Sequence, residues 1–170
     1  MKEIVIIMLF LGMCNPNLES LLGRNINDIP DIIEMPDSEV SDVRSFRTQS
    51  QNNLMFGDKS FNQLLLVVDL DNRITGIDAI FYEVFDRRTL KELVKVYGNP
   101  TRIYKQGGSE ELFREKEEDT FIKAREYKVQ MIECGLDESP TLIFWEKLDF
   151  TMSLRMAEQN NKTWLTIEKK

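Results

Sequence analysis

Acidic residues in the middle of the chain have the side-chain type that general acid and base chemistry requires. They are Glu110, Glu111, Glu115, Glu117, Glu118 and Asp119. A carboxylate-dependent hydrolase would need two of these side chains close together in a cleft. The same segment carries Arg114, Lys116 and Lys123 and offers little apolar cover, so ordinary pKa values are expected for the carboxylates. The pattern therefore favours a solvated charged surface over a catalytic pair.

Asp69, Asp71 and Asn72 could open a calcium-binding loop, because alternating oxygen ligands begin such loops. The spacing then fails, since Arg73 and Ile74 stand where an oxygen ligand and a glycine are needed. Asp and Asn between two apolar runs are typical of a hairpin turn, which is the better interpretation. The sequence predicts no metal site and no cofactor.

The chain contains no histidine. Histidine is the usual base for Ser and Cys nucleophiles, and it is the commonest ligand for zinc, copper and non-haem iron. The chemistry that remains would rely on carboxylates, Lys or Tyr. We therefore expect a protein that is not an enzyme and has no catalytic residues.

Four aromatic residues near the C-terminus could line a binding groove on a sheet: Phe144, Trp145, Phe150 and Trp164. Such a groove would need these side chains on one face. Aromatic residues at strand spacing also belong to hydrophobic cores, which is the more common situation. Both interpretations remain open from the sequence.

The N-terminal segment has the pattern of an export signal. Lys2 precedes an apolar run at residues 4–13, which ends at Cys14. A membrane-spanning helix needs about 20 apolar residues, whereas the apolar region of a secretory signal has roughly 7 to 15. The length of this run therefore indicates a signal peptide.

The motif Leu11-Gly12-Met13-Cys14 resembles the lipobox of bacterial lipoprotein signals. In that motif a leucine stands three residues before a lipid-modified cysteine, with small residues between them. Met13 is larger than the Ala, Gly or Ser found there. The resemblance implies that residues 1–13 are a signal peptide and that Cys14 carries a lipid.

A cytoplasmic interpretation of the same segment is the alternative. Residues 4–11 could form a buried strand, with Cys14 as a thiol in the core. Asn15-Pro16-Asn17 favours export, because these residues are typical of an extended tether. We expect a tether at residues 14–17 and a single domain at residues 18–170, with possible halves at 18–84 and 85–170.

Composition limits the partners of this domain. The chain has 170 residues, of which 42% are hydrophobic and 30% charged, as in a soluble globular domain. Its formal net charge of −7 argues against nucleic acid, since phosphate binding needs a concentrated basic surface. Anionic lipid is not attracted by such a charge either, so membrane attachment would depend on the lipid anchor.

The N-terminal part of the domain predicts one helix followed by strands. Residues 18–35 show a short helical pattern, with Asn27 or Asp28 as the cap and Pro36 as the end. Residues 37–51 predict a loop that leads into one edge strand. Residues 61–70 predict a fully buried strand, which Asp71-Asn72 joins in a hairpin to a strand at residues 73–83.

The second half predicts a similar order of elements. Residues 86–98 carry the clearest helix signal, in which Asp86 is the N-cap and Gly98 follows the last turn. The Gly107-Gly108 pair breaks a short strand, and residues 109–134 predict a helix, with an extended segment as the alternative. Residues 142–167 predict a three-stranded antiparallel meander.

These elements predict an α+β fold with two tandem helix-then-antiparallel-meander units, in which the helices pack on one face of an antiparallel sheet. That order resembles beta-lactamase-inhibitor-like folds and small outer-membrane-assembly lipoproteins. The resemblance is in element order alone, so it implies no functional residue.

The expectation for function is a non-enzymatic, lipid-anchored protein of the bacterial cell envelope. It would bind another protein or an envelope component, would meet the membrane through its lipid, and would not bind nucleic acid. One alternative is a cytoplasmic inhibitor or immunity-type protein that binds a basic partner. The other alternative is the carboxylate-dependent hydrolase.

Overall fold

A computed structural model describes residues 18–36, 44–48, 55–56, 59–112 and 126–170. The strands are β1 (Ile32–Glu34), β2 (Arg44–Thr48), β3 (Met55–Phe56), β4 (Lys59–Ser60), β5 (Gln63–Val68), β6 (Ile74–Phe81), β7 (Arg102–Leu112), β8 (Glu126–Glu133), β9 (Leu142–Glu146), β10 (Phe150–Ala157) and β11 (Lys162–Lys169). One α-helix, α1 (Arg87–Tyr97), lies among them, with short 3₁₀ helices at Leu18–Leu21, Ile26–Asp28 and Glu158–Asn160.

Nine of these strands form one sheet in the order β1-β2-β5-β6-β11-β10-β9-β7-β8. Every neighbouring pair is antiparallel. β6 and β11 pair at the centre and join the earlier strands to the C-terminal ones. The remaining two strands, β3 and β4, form a separate ribbon.

The hairpin between β5 and β6 is confirmed. Asn72 adopts a left-handed backbone with φ 62°, as turn residues do. The carboxylate of Asp69 accepts hydrogen bonds from the backbone N–H groups of Asp71 and Arg73, at 3.0 and 2.9 Å. That carboxylate therefore stabilises the turn, which agrees with the hairpin interpretation of the acidic residues.

The predicted helix at residues 86–98 is also confirmed. Asp86 accepts a 2.7 Å hydrogen bond from the backbone N–H of Thr89, the bond expected of an N-cap. Backbone hydrogen bonding from Thr89 is the main reason that the pKa of Asp86 lies below its ordinary value. Leu90 and Leu93 of this helix are buried in the core.

The hydrophobic core lies on one face of the sheet, and α1, β3 and the N-terminal 3₁₀ helices contribute side chains to it. At its centre, the rings of Phe56 and Tyr97 stack with centroids 5.7 Å apart, and Phe81 meets Phe85 edge to face at 4.8 Å. The hydroxyl of Tyr97 donates a 2.9 Å hydrogen bond to Glu19. This bond joins the C-terminal end of α1 to the first described turn.

The predicted fold class is wrong. The described residues form a predominantly antiparallel β structure with one α-helix, and no second helix-then-meander unit is present in the described ranges. Residues 18–35 form two 3₁₀ helices and β1 instead of an α-helix. Left-handed backbone at Gly23 and Asp31 interrupts helical geometry, and Ile33 pairs with Arg47 of β2.

The helix expected at residues 109–134 is wrong for the described parts of that segment, which are extended, as in the alternative; residues 113–125 lie outside the described residues. β7 runs through Gly107 and Gly108, and its register against β8 shifts between Gln106 and Ser109. A Cβ atom on Gly107 would lie 2.7 Å from the side chain of Ile132. The glycine therefore admits a close neighbour in the next strand.

The other strand predictions have mixed outcomes. The meander of β9, β10 and β11 is confirmed. β5 is confirmed as a strand, but Leu65 and Val67 are only half-buried, so it is not fully buried. β2 is the second strand of the sheet, because the edge position belongs to β1.

Candidate binding surface on the open face of the sheet

The face of the sheet opposite the core is the candidate functional surface, and we call it the open face. Successive side chains of a strand point to opposite faces. In β6, Ile77 and Ala79 are buried on the core face, whereas Asp78 and Ile80 are half-buried. In β11, Leu165 is buried and Trp164 is half-buried. The open face therefore has partly accessible side chains at alternate positions.

Strand register places apolar and polar residues side by side across this face. One row of paired positions runs through Gln63, Ile80, Trp164, Arg155, Leu142 and Tyr104. The next row runs through Arg47, Leu65, Asp78, Thr166, Ser153 and Phe144. Such a surface can contact an amphipathic partner with both kinds of group.

Two adjoining cavities on the open face form what we call the trough. The first has a volume of about 250 Å³, with Met35, Leu65, Ile80 and Trp164 among its apolar lining residues. The second has a volume of about 290 Å³ and is lined in part by Val67, Gly76 and Glu168. Asp78 and Thr166 line both cavities, so they lie where the cavities meet.

Asp78 lies at the centre of the trough, and the other charged residues that line the two cavities are Arg47, Glu168 and Lys169. The hydroxyl of Thr166 donates a 2.6 Å hydrogen bond to its carboxylate. No side chain in the described ranges forms an ion pair with Asp78. Because Thr166 occupies only part of the hydrogen-bonding capacity of the carboxylate, Asp78 can accept further donors or a cation.

Gly76 lines the second cavity and leaves space there because it has no side chain. A Cβ atom at this position would lie 3.2 Å from the Cβ of Val67 on the neighbouring strand. A side chain at position 76 would therefore press against Val67 and fill space in the trough. The absence of a side chain here gives a partner closer access to the backbone.

The four aromatic residues predicted to line a groove do not share one surface. Phe144 and Trp164 lie on the open face, whereas Trp145 is 1% exposed and Phe150 packs against the core. The indole N–H of Trp145 donates a 2.9 Å hydrogen bond to the carbonyl oxygen of Gly98. Trp145 therefore has a structural role beneath α1.

Phe144 belongs to a second aromatic group, further along the open face. Its ring meets that of Tyr104 edge to face, with centroids 6.2 Å apart. The Arg102 guanidinium lies 5.7 Å from the centre of the Phe144 ring and forms an ion pair with Glu146. These contacts occupy Arg102, so this group offers less unpaired charge than the trough.

Asp78, the central residue of the trough, was not identified from the sequence. One signal was present, since a carboxylate interrupts the apolar residues Ile77, Ala79 and Ile80 of a strand. Its partner Thr166 is 88 positions away and joins it only through the pairing of β6 with β11.

Cys14 and the expected signal segment lie outside the described residues, as do Glu115, Glu117, Glu118 and Asp119. Glu110 and Glu111 belong to β7.

No group of three or more potential metal ligands occurs in the described ranges. None of the helices described there is long and apolar enough to cross a membrane.

Cys134 lies at the end of β8. Burial raises the pKa of its thiol, and the nearby Glu138 carboxylate adds to that effect. A raised pKa lowers the thiolate fraction at neutral pH, and the thiolate is the reactive form. The Lys105 ammonium group opposes this shift only in part, so the environment of Cys134 does not favour a nucleophilic thiolate.

The chain matches no protein-family model, no curated protein and no solved structure.

Proposed function

We propose that the chain is a non-enzymatic, lipid-anchored protein of the bacterial cell envelope that binds a basic segment of a partner protein in the trough. The observation that carries the binding proposal is Asp78, a carboxylate without an ion pair among the described residues, between two adjoining cavities. The net charge of −7 adds long-range attraction for a basic partner. The lipobox-like segment ending at Cys14 supports anchoring.

The lining of the trough suits a lysine or arginine side chain. Such side chains place an apolar stem along apolar surface and keep the charged group in a polar environment. Ile80 and Trp164 can contact the stem, while Asp78 accepts hydrogen bonds from the charged end. Glu168, in the second cavity, offers another carboxylate to a longer segment.

The two cavities can take side chains of a protein partner. Their volumes are about 250 and 290 Å³, and they meet at Asp78 and Thr166. A few side chains of a partner can fill such depressions and act as anchors of a larger interface.

Two synthetic peptides test the binding proposal directly. One contains lysines flanked by leucine and valine, and the other contains glutamates in place of the lysines. Trp164 lines the trough, so its fluorescence should change when the lysine peptide is added, whereas the glutamate peptide should have no effect. The affinity of the lysine peptide should fall as salt increases.

An Asp78→Asn variant should weaken binding of the lysine peptide by about tenfold, or about 1.4 kcal/mol. Asp71→Asn is the matched control, because it makes the same charge change in the β5–β6 turn. Equal binding by the wild type and Asp78→Asn, or equal binding of both peptides, would reject the trough as a basic-segment site.

Anchoring is tested in cells. An inhibitor of the lipoprotein signal peptidase should make an uncleaved precursor accumulate, and Cys14→Ser should release the protein from the membrane fraction. A cytosolic wild-type protein with unchanged mobility under the inhibitor would reject the anchor.

A cytoplasmic inhibitor that binds a basic protein is the second candidate, because the net charge and Asp78 suit that partner equally well. It predicts a cytosolic chain in a stoichiometric, salt-sensitive complex with one basic protein. Cell fractionation followed by purification of that complex separates the two candidates.

A further inference from the structure

Two leucines at hairpin tips are the most exposed large apolar residues in the described part of the chain. Leu70 is 82% exposed and lies in the turn between β5 and β6. Leu148 is 90% exposed and lies in the turn between β9 and β10. Neither side chain is part of the core, so both are accessible to a surface outside the fold.

Both tips lie at the same end of the sheet. β11 pairs with β6 and with β10, and these pairings bring the start of β6 (Gly76 against Glu168) and the start of β10 (Phe150 against Lys169) to the same end of β11. Three strand spacings separate the two turns, which corresponds to about 14 Å. We call this end of the sheet, with Leu70 and Leu148, the tip end.

The N-terminal part of the domain reaches the tip end too. The backbone N–H of Gly23 donates a 2.7 Å hydrogen bond to the carbonyl of Ile74, at the start of β6. Glu19 accepts the hydroxyl hydrogen bond of Tyr97, whose carbonyl oxygen accepts a hydrogen bond from the Lys147 ammonium group, next to Leu148. The first described turn is thus linked through Tyr97 to the β9–β10 hairpin.

Chain length limits how far a lipid on Cys14 can lie from this end. Four residue steps separate Cys14 from Leu18, and an extended chain covers at most about 14 Å over that distance. A lipid inserted in a bilayer would therefore hold the first described turn close to the membrane surface.

We propose that the tip end rests on the membrane surface, with Leu70 and Leu148 inserted at the level of the lipid headgroups. This inference rests on the proposed lipid anchor. The lipid supplies attachment, and the two leucines set orientation, because two side chains alone bury too little apolar surface for stable binding. Lys169 at this end can extend its ammonium group to the headgroups. The strands then run away from the membrane, so that the second cavity of the trough, at Gly76 and Glu168, lies near its surface and the first cavity lies further out.

Tryptophan scanning on vesicles tests the orientation. The full-length protein, purified from cells with its Cys14 acylation determined by mass spectrometry, is incorporated into phosphatidylcholine vesicles that carry brominated acyl chains. Leu70→Trp and Leu148→Trp each add a tryptophan at the tip end. Tyr82→Trp is the matched control, because Tyr82 is 51% exposed and follows β6 at the opposite end of the sheet.

The added fluorescence at positions 70 and 148 should be quenched at least twofold more than that at position 82. Thermal unfolding of each variant checks that it is folded. We expect all three to fold, because the replaced side chains are exposed. Equal quenching at all three positions in an acylated protein would reject the orientation and leave the anchor intact. An unacylated Cys14 would reject the anchor and the membrane orientation together.

Discussion

The two faces of the central strands share one backbone and differ in what their side chains contribute. On β6 and β11, Ile77 and Leu165 are buried in the core. One position further along the same strands, Asp78 and Thr166 form a polar pair that lines a cavity. The core face is constrained by close packing, whereas the open face can accept a polar pair without loss of core volume. Residues on the open face can therefore be chosen for contact with a partner, whereas residues on the core face must fill the core.

Truncating one tryptophan on each face should give the largest contrast. Trp145→Ala should lower the free energy of unfolding by about 3–5 kcal/mol, because it leaves a cavity beneath α1. Trp164→Ala, on the open face, should cost less than about 1.5 kcal/mol. Urea unfolding of both variants measures the difference. Equal losses would show that the open face is packed as tightly as the core.

Removing the hydroxyl of Thr166 should affect binding more than folding. Thr166→Val preserves shape and deletes the 2.6 Å hydrogen bond that orients Asp78. We expect the affinity for the lysine peptide to fall by a factor of about 2 to 10, the range for loss of one hydrogen bond of about 0.5–1.5 kcal/mol. Ser153→Ala, on the neighbouring strand outside the two cavities, is the control. A Thr166→Val variant that binds the lysine peptide normally would mean that the Thr166 hydrogen bond does not contribute to binding by Asp78.

The smallest effect concerns the helix that covers the core face, and it depends on pH. The pKa of Asp86 is lowered in the folded protein, mainly by the Thr89 backbone N–H, so its charged form stabilises the fold. This contribution is present above the unfolded pKa of about 3.9 and is lost as pH falls through the folded value. Asp86→Asn retains a capping side chain but does not titrate.

The unfolding midpoints of the wild type and Asp86→Asn should therefore differ most near neutral pH and converge in acid. Thermal unfolding followed by circular dichroism at several pH values measures this difference. A difference that does not change with pH would mean that the charge of Asp86 has no part in capping α1.

Elements specified by neighbouring residues were predictable from the sequence. α1 begins after its N-cap, Asp86, and ends at Gly98, which has a positive φ of 75°. Asp71-Asn72 forms a tight turn between β5 and β6. Each of these features depends on contacts within a few residues. Such local contacts are the same in most folds that contain the segment, so their sequence signals are reliable.

Elements stabilised by distant partners were not predictable in the same way. Residues 18–35 show a helical spacing of isoleucines, but Ile32 and Ile33 belong to a strand because β2 offers its backbone as a partner. Residues 109–134 have helix-compatible charges, but the described parts of that segment pair as β7 and β8. In both segments tertiary pairing outweighed local propensity.

By itself, the sequence determined the net charge, the absence of histidine, the local turns and caps, and the lipobox-like pattern before the domain. It also determined that side chains in each strand alternate between two environments. Only the tertiary structure decided that Trp145 faces the core, that Trp164 faces the trough, and that Asp78 meets Thr166. The physical reason is that strand alternation has a period of two residues but no fixed origin, so pairing between distant strands chooses which set is buried.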